Sequence, residues 1–190
     1  AYGLFAMPTL ETERLILRRI TMRDAKDIFA YSKDEEVARH VLWSAQKEVG
    51  EAKDYCRFMM KRYRCDQPSS WGIIDKATGR LVGTIGYMDH NEDNATVEVG
   101  YSLARWLWNG GYMTEALRRV IAYTFEAMDI NRIEAQHELD NPSSGRVMEK
   151  CGMTHEGHMR ERICCKGVFR DVEMWGILRK DWERSHPEHK

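Results

Sequence analysis

The spacing of hydrophobic and polar residues changes twice along the chain, and each change predicts a different kind of element. Near the start, Leu15-Ile16-Leu17 reads as a strand. Thr21-Met22-Arg23-Asp24 then has the spacing of a capping box, a hydroxyl at the N-cap and a carboxylate three residues on. It precedes an amphipathic helix carrying Ala25, Ile28 and Phe29. Tyr55, Phe58, Met59 and Arg62 fall at helical spacing and predict a second helix over about 48–63. After Pro68 the period drops to two. Strands are predicted over 71–75, 81–88 and 96–103, joined by turns at 76–79 and 89–94.

Helical spacing then returns for 112–128, followed by a strand over 132–139. Asn141-Pro142-Ser143 opens a short helix, with proline where a first turn tolerates it. That helix ends at Cys151-Gly152, glycine being the usual residue just past a helix end. Two closing strands, about 154–165 and 169–178, flank a turn at Lys166-Gly167. The resulting order, β-α-α-β-β-β-α-β-α-β-β, describes an α/β chain and excludes both a helical bundle and a regular Rossmann alternation. No repeat or linker-like tract interrupts it, so one domain is expected over 7–184. Met7-Pro8 reads as a natural start, with residues 1–6 a remnant ahead of it.

Composition narrows the function classes. With 29 basic and 30 acidic side chains the net charge is −1, which builds no broad positive field for nucleic acid. No apolar run reaches the roughly 20 residues a membrane-spanning helix needs. The five cysteines, Cys56, Cys65, Cys151, Cys164 and Cys165, have no CxxC spacing and suggest reduced thiols in the cytoplasm. His155 and His158 come nearest to a metal pair, but a spacing of three puts strand residues on opposite faces, so no metal is expected.

The stretch from Glu98 to Ala116 carries the candidate chemistry. A strand runs into Arg105-Trp106-Leu107-Trp108-Asn109-Gly110-Gly111, which opens directly into the helix beginning Tyr112-Met113-Thr114. A helix N-terminus offers unpaired N–H groups and a partial positive charge, and glycines let phosphate oxygens approach the backbone. Arg105, Arg118 and Arg119 are positioned in sequence to add charge. Taken alone, a Gly-Gly pair before a helix is more often a simple turn, and neither a P-loop nor a GxGxxG pattern is present.

This segment resembles the acyl-CoA pyrophosphate loop of the GNAT superfamily of N-acetyltransferases, in the branch of ribosomal-protein N-acetyltransferases of the RimJ/RimL type. The family motif, Q/R-x-x-G-x-G/A, aligns with Trp108-Asn109-Gly110-Gly111-Tyr112-Met113. Further landmarks follow in order: Glu11-Thr12-Glu13-Arg14-Leu15-Ile16-Leu17-Arg18, Glu98-Val99-Gly100-Tyr101, Asn141-Pro142-Ser143-Ser144 through Gly152-Met153, and Arg170-Asp171-Val172. The resemblance implies a mixed, mostly antiparallel sheet of six to seven strands with helices on both faces. It also implies acetyl-CoA as cosubstrate and an amine acceptor, either a protein N-terminal α-amine or a small molecule.

Roles carry over by position. Glu98 matches the strand glutamate that serves as base, often through water, and its apolar neighbours favour a raised pKa. Ser144 matches the serine of an N-x-x-S motif that protonates the leaving thiolate, and Asn141 the residue that bonds pantetheine. Ser102 and Leu103 are the candidates for backbone contacts to pantetheine. Trp108, Asn109, Gly110, Gly111, Tyr112, Met113 and Thr114 form the pyrophosphate cradle. Glu134 and Glu138 line the opposite strand, and Trp43 falls where relatives shape the acceptor pocket. Trp71, Phe169, Met174 and Trp175 read as packing residues of the core or of a partner surface. Neither a membrane nor nucleic acid is an expected partner, and a homodimer is compatible with the chain. Trp108 and Met113 depart from the motif, which supplies the alternative of a non-catalytic acyl-CoA-binding module. A domain that binds no CoA is the third reading.

Overall fold

The computed structural model describes residues 3–41 and 43–189. Of the six N-terminal residues set apart above, the first two lie outside the described residues, while Phe5 is buried against Tyr87 and His90.

Eight strands form one sheet in the order β1-β2-β3-β4-β5-β6-β8-β7, one or two more than expected. The addition is β1 (Leu10–Glu11), two residues paired to β2 (Leu15–Arg19) and too short to show a period. The central meander is β3 (Ser70–Asp75), β4 (Leu81–Asn91) and β5 (Thr96–Leu103). The far side holds β6 (Arg132–Glu138), β7 (Thr154–Cys165) and β8 (Val168–Leu178).

Helix α1 (Ala25–Ser32) follows the capping segment, where the Thr21 amide donates to Asp24 Oδ2 at 2.8 Å. It packs on α3 (Val49–Arg64) over one sheet face. Between them lies α2 (Glu35–Ala38), a single turn too short for a periodic signal, capped by the Asp34 carboxylate. The opposite face is covered by α4 (Tyr112–Ala127) and α5 (Pro142–Lys150), and α6 (Arg179–Ser185) closes the chain. Strand alternation separates the two faces. Thr84 and Ser102 meet Tyr31 of α1, whereas Trp71 meets Tyr123 and Tyr87 bonds Thr124 of α4. Trp71 is fully buried, as its apolar strand context predicts. Met174 and Trp175 are half-buried and Phe169 is exposed, so Phe169 is not a core residue.

Every strand pair is antiparallel except β5 with β6, and this pair is short. Thr96, Val97 and Glu98 pair with Arg132, Ile133 and Glu134, and there the pairing stops. Beyond it, β5 stays bonded only to β4 and β6 only to β8. A bulge in β4 between Tyr87 and Asp89, opposite Glu98, bends that half of the sheet away. The two strands splay, and each keeps an unpaired inner edge. Among the described residues no helix is long and apolar enough to cross a membrane.

Candidate active site

The splay opens into a cleft of about 810 Å³ lined by both strands and by the N-terminal ends of α4 and α5. Glu98, Ser102, Leu103, Trp108, Asn109, Gly111, Tyr112, Met113, Thr114, Asn141 and Ser144 all line it. Gly110 does not; its carbonyl is held from outside by Arg14 Nη1 at 3.1 Å.

On the β5 side the loop into α4 is built to leave backbone amides bare. Gly111 is the N-cap at φ 78°, a left-handed conformation that lets the chain turn sharply into the helix. No side chain caps the first turn, so the amides of residues 112–114 lack the acceptors a helix interior supplies. The turn is braced from behind. Glu115 accepts hydrogen bonds from Thr12 Oγ1 at 2.5 Å, the Arg14 amide at 2.9 Å and Arg14 Nε at 2.8 Å. Burial alone would raise the Glu115 pKa, but these bonds hold it below the usual range. The Arg14 guanidinium also stacks 3.9 Å from the Tyr112 ring.

The two motif departures have local explanations. Trp108 donates its indole N–H to the Leu103 carbonyl at 2.8 Å, tying the loop to the end of β5. Met113 is buried in the hydrophobic core at the edge of the cleft. The arginines suggested as phosphate partners are differently employed. Arg105 pairs with Asp34 in a bidentate contact, Arg118 Nη2 donates to the Lys150 carbonyl at 3.0 Å, and Arg119 Nε donates to the Glu11 carbonyl at 3.3 Å.

Along β5, Ser102 and Leu103 face different ways. A Cβ on Gly83 would lie 2.4 Å from the Ser102 carbonyl oxygen, so this carbonyl faces β4. The Ser102 hydroxyl contacts Tyr31 Oη at 3.3 Å and Thr84 Oγ1 at 3.2 Å. Alternation sends the backbone groups of Leu103, Tyr101 and Val99 to the open edge.

Glu98 sits where the two strands part, half-buried on the same face as Ser102. Burial pushes its pKa up, and the Glu134 and Asp89 carboxylates add to the shift while Arg162 opposes it. Glu134 is itself bound by Arg132 at 2.9 Å. On the other face Tyr101 reaches α5, its hydroxyl 2.8 Å from Ser144 Oγ, with a second bond to the Ser144 carbonyl at 3.3 Å. Burial raises the Tyr101 pKa, so the phenol stays protonated at neutral pH. Tyr101 is a site residue the sequence reading passed over, although its parity with Val99 and Leu103 already put it on the α5 face. Asn141 is the N-cap of α5, and its side chain makes no capping bond.

The β6 side is different in kind. Trp175 Nε1–H donates to His137 Nε2 at 3.0 Å, so that nitrogen accepts, and Nδ1–H donates to the Glu138 carbonyl at 2.8 Å. His137 is therefore a fixed neutral tautomer on the α5 face, beside Gly145. Glu134, Gln136 and Glu138 consequently share the Glu98 face. Across from Glu138 are α2 and the chain after it, with Val37, His40, Val41 and Trp43 in the cleft lining. The β7–β8 turn holds this stretch: Lys166 Nζ donates to the Ala38 carbonyl at 2.6 Å, and Cys165 Sγ reaches Val41 O at 3.5 Å.

His155 and His158 do not point to opposite faces. A register shift between His155 and Gly157 restores their alignment, and both rings meet the Glu173 carboxylate, at 2.5 and 3.1 Å. Among the described residues, the one group with ligand atoms close enough to hold a metal is His40, Glu138 and Asp140.

Residues 14–154 match the Acetyltransferase (GNAT) domain family. A curated relative from Bacillus licheniformis, the uncharacterized N-acetyltransferase p20, is 32% identical over 93% of this chain and 99% of its own. A GNAT-family acetyltransferase from Bacillus anthracis superposes with a TM-score of 0.81 at 25% identity, covering 90% and 99% of the two chains. RimL, a ribosomal L7/L12 α-N-protein acetyltransferase solved with coenzyme A, shares the fold at a TM-score of 0.78 and 18% identity, covering 90% and 97%. With a family match across most of its length and a named N-acetyltransferase 32% identical over nearly all of it, this chain belongs to the GNAT acetyltransferase family and is an N-acetyltransferase.

Proposed function

We propose that the cleft binds acetyl-CoA and transfers its acetyl group directly to a primary amine, either a protein N-terminal α-amine or a small-molecule amine. One observation carries the reading: the unpaired inner edge of β5 leads from Glu98 to the uncapped N-terminus of α4. The amides of Tyr112, Met113 and Thr114 hold the diphosphate, with Asn109 and Gly111 shaping the approach. The open backbone groups of β5 receive the pantetheine arm as an added strand, and Asn141 bonds it from the α5 side. Leu103 contributes less than its position suggests, because Trp108 already occupies its carbonyl.

Glu98 takes the proton from the attacking amine, directly or through water. Its raised pKa brings it nearer neutrality, where a base combines ionisation with proton affinity. Attack forms the C–N bond and places negative charge on the carbonyl oxygen, which a β5 amide between Val99 and Leu103 stabilises. Collapse breaks the C–S bond. The Ser144 hydroxyl, bonded to the protonated Tyr101, supplies the proton to the departing thiolate, and the proton that Glu98 took from the amine returns to the serine through solvent in the cleft. What favours the enzyme over the non-catalytic alternative is that both motif departures have structural roles, Trp108 in bonding Leu103 and Met113 in the core.

Calorimetry with acetyl-CoA and thiol titration of CoA release with an amine panel test the proposal. Binding with acceptor-dependent release is expected; binding without release from any amine, or no binding, overturns it.

A further inference from the structure

At the far end of β6 the cleft contains an unsatisfied polar group that the transfer chemistry does not use. His40 Nδ1 is buried and has no hydrogen-bond partner. It faces Asp140 Oδ1 at 3.6 Å and Glu138 Oε2 at 3.9 Å, both beyond hydrogen-bond range. The Glu138 side chain is only 7% exposed, and its carboxylate accepts no hydrogen bond among the described residues. A buried ring nitrogen left this way is costly unless a ligand completes it, and the Glu138 carboxylate lies beside it in the cleft lining. Arg39 Nη2 lies 3.8 Å from Asp140 Oδ2, and both side chains are exposed.

The spacing as it stands fits an ammonium with less adjustment than a metal ion. The three candidate atoms lie within 4.8 Å of one another. A tetrahedral zinc at about 2.0–2.2 Å from its ligands would draw them to about 3.4 Å apart, closer than either measured separation. An ammonium at about 2.8 Å from each acceptor tolerates separations of up to about 4.6 Å. Its three N–H groups match three acceptors: the two carboxylates and, in the tautomer that carries its hydrogen on Nε2, the His40 Nδ1 lone pair.

We propose that His40, Glu138 and Asp140 form a subsite for a second ammonium group of the acceptor, so that the preferred substrate is a dicationic amine. The proposal rests on the transferase reading above and identifies its acceptor class. Glu138 and Glu98 share one sheet face, and Glu134, level with Glu98, lies four residues before Glu138. That places the two carboxylates on the order of 13 Å apart along the strand. One amine of an extended polyamine reaches Glu98 while another is held at Glu138. These residues position the substrate and take no part in bond making.

The test compares kcat/KM for spermidine, butylamine and a lysine-containing peptide in the wild type and in Glu138→Gln and Asp140→Asn, with melting temperature as a folding check. A charge-assisted hydrogen bond is worth roughly tenfold or more. The wild type is expected to prefer spermidine over butylamine by about that factor, and Glu138→Gln to lower the ratio correspondingly. The peptide arm tells a free polyamine from a lysine side chain as the source of the second charge; discrimination on either dication supports the subsite. An unmoved ratio with CoA release intact overturns the subsite and leaves the transferase standing. If no amine gives release, the transferase reading has failed. Calorimetry with spermidine alone then decides the subsite: binding lost in Glu138→Gln supports it, and unchanged or absent binding overturns it. Zinc titration giving a tight complex that excludes spermidine overturns it as well.

Discussion

The two walls of the cleft obey opposite rules. On the β5 and α4 wall nearly every polar side chain is already engaged: Arg14 and Glu115 brace the helix start, Trp108 secures Leu103, and Ser102 bonds Tyr31 and Thr84. What stays open there is backbone. On the β6 wall the outer backbone edge is likewise paired, to β8 through Glu138, and the inner edge is open, but here side chains stay open as well, at His40 and Glu138. A wall that offers backbone suits the invariant part of a reaction, since amides serve any sequence that holds the turn. A wall that offers side chains suits the variable part, because single substitutions retune it.

The sharpest break of this contrast comes at the junction of the walls. Replacing Glu98 with Gln should lower kcat by about 10²–10⁴-fold at neutral pH, as loss of a general base does. A base must be ionised, so the wild-type rate should fall as pH drops through the Glu98 pKa, which burial places above the ordinary carboxylate range. In the variant this limb should vanish, and the rate should follow the amine's own deprotonation, near pH 10 for an aliphatic amine. A pH–rate profile by thiol titration checks both.

Next is the backbone wall itself. Gly111→Val forces a β-branched residue into a left-handed conformation, costing about 1–3 kcal/mol of strain or moving the turn. Acetyl-CoA affinity measured by calorimetry should fall at least about tenfold. Unchanged affinity would place the diphosphate elsewhere.

Smaller effects sharpen the division. Tyr101→Phe removes the partner of Ser144 and should cost kcat about fivefold to tenfold, one hydrogen bond's worth, with little change in acetyl-CoA affinity. Equal losses in both would make the pair a cofactor contact instead. Trp108→Phe frees the Leu103 carbonyl at the cost of a looser loop, and a change in acetyl-CoA affinity of only about threefold is expected.

The smallest effect lies outside the cleft. His158 bonds Glu173 and Asp171, which raise its pKa, and the two carboxylates are held low in return, Glu173 by His155 and His158, Asp171 first by the Glu161 amide. The raised histidine stabilises the fold at low pH and loses that contribution as pH rises through its folded pKa. The lowered carboxylates stabilise it above their unfolded pKa and lose it as pH falls. Melting temperature should therefore decline slightly from weakly acidic to weakly alkaline pH, and His158→Ala should flatten the decline.

Most of the fold was legible because its elements announce themselves locally. Period-two runs gave β3, β5 and β8 within a few residues, and helical spacing with Gly152 as a stop gave α4 and α5. What escaped was short or long-range. β1 and α2 are too brief to carry a period, and the shift that aligns His155 with His158 comes from pairing to β8 rather than from residue types. Arg105, Arg118 and Arg119 looked available in sequence, yet their partners lie up to 108 residues away.

The sequence by itself determined the order of the longer elements, the glycine turn into α4 and the family, because these depend on local spacing and on residues adjacent in the chain. Only the tertiary structure decided at which residue β5 and β6 part, that Tyr101 meets Ser144, and that His40 faces Glu138 without a bond. Each of these joins segments distant in sequence, and whether a polar group is satisfied depends on every neighbour that packing brings to it.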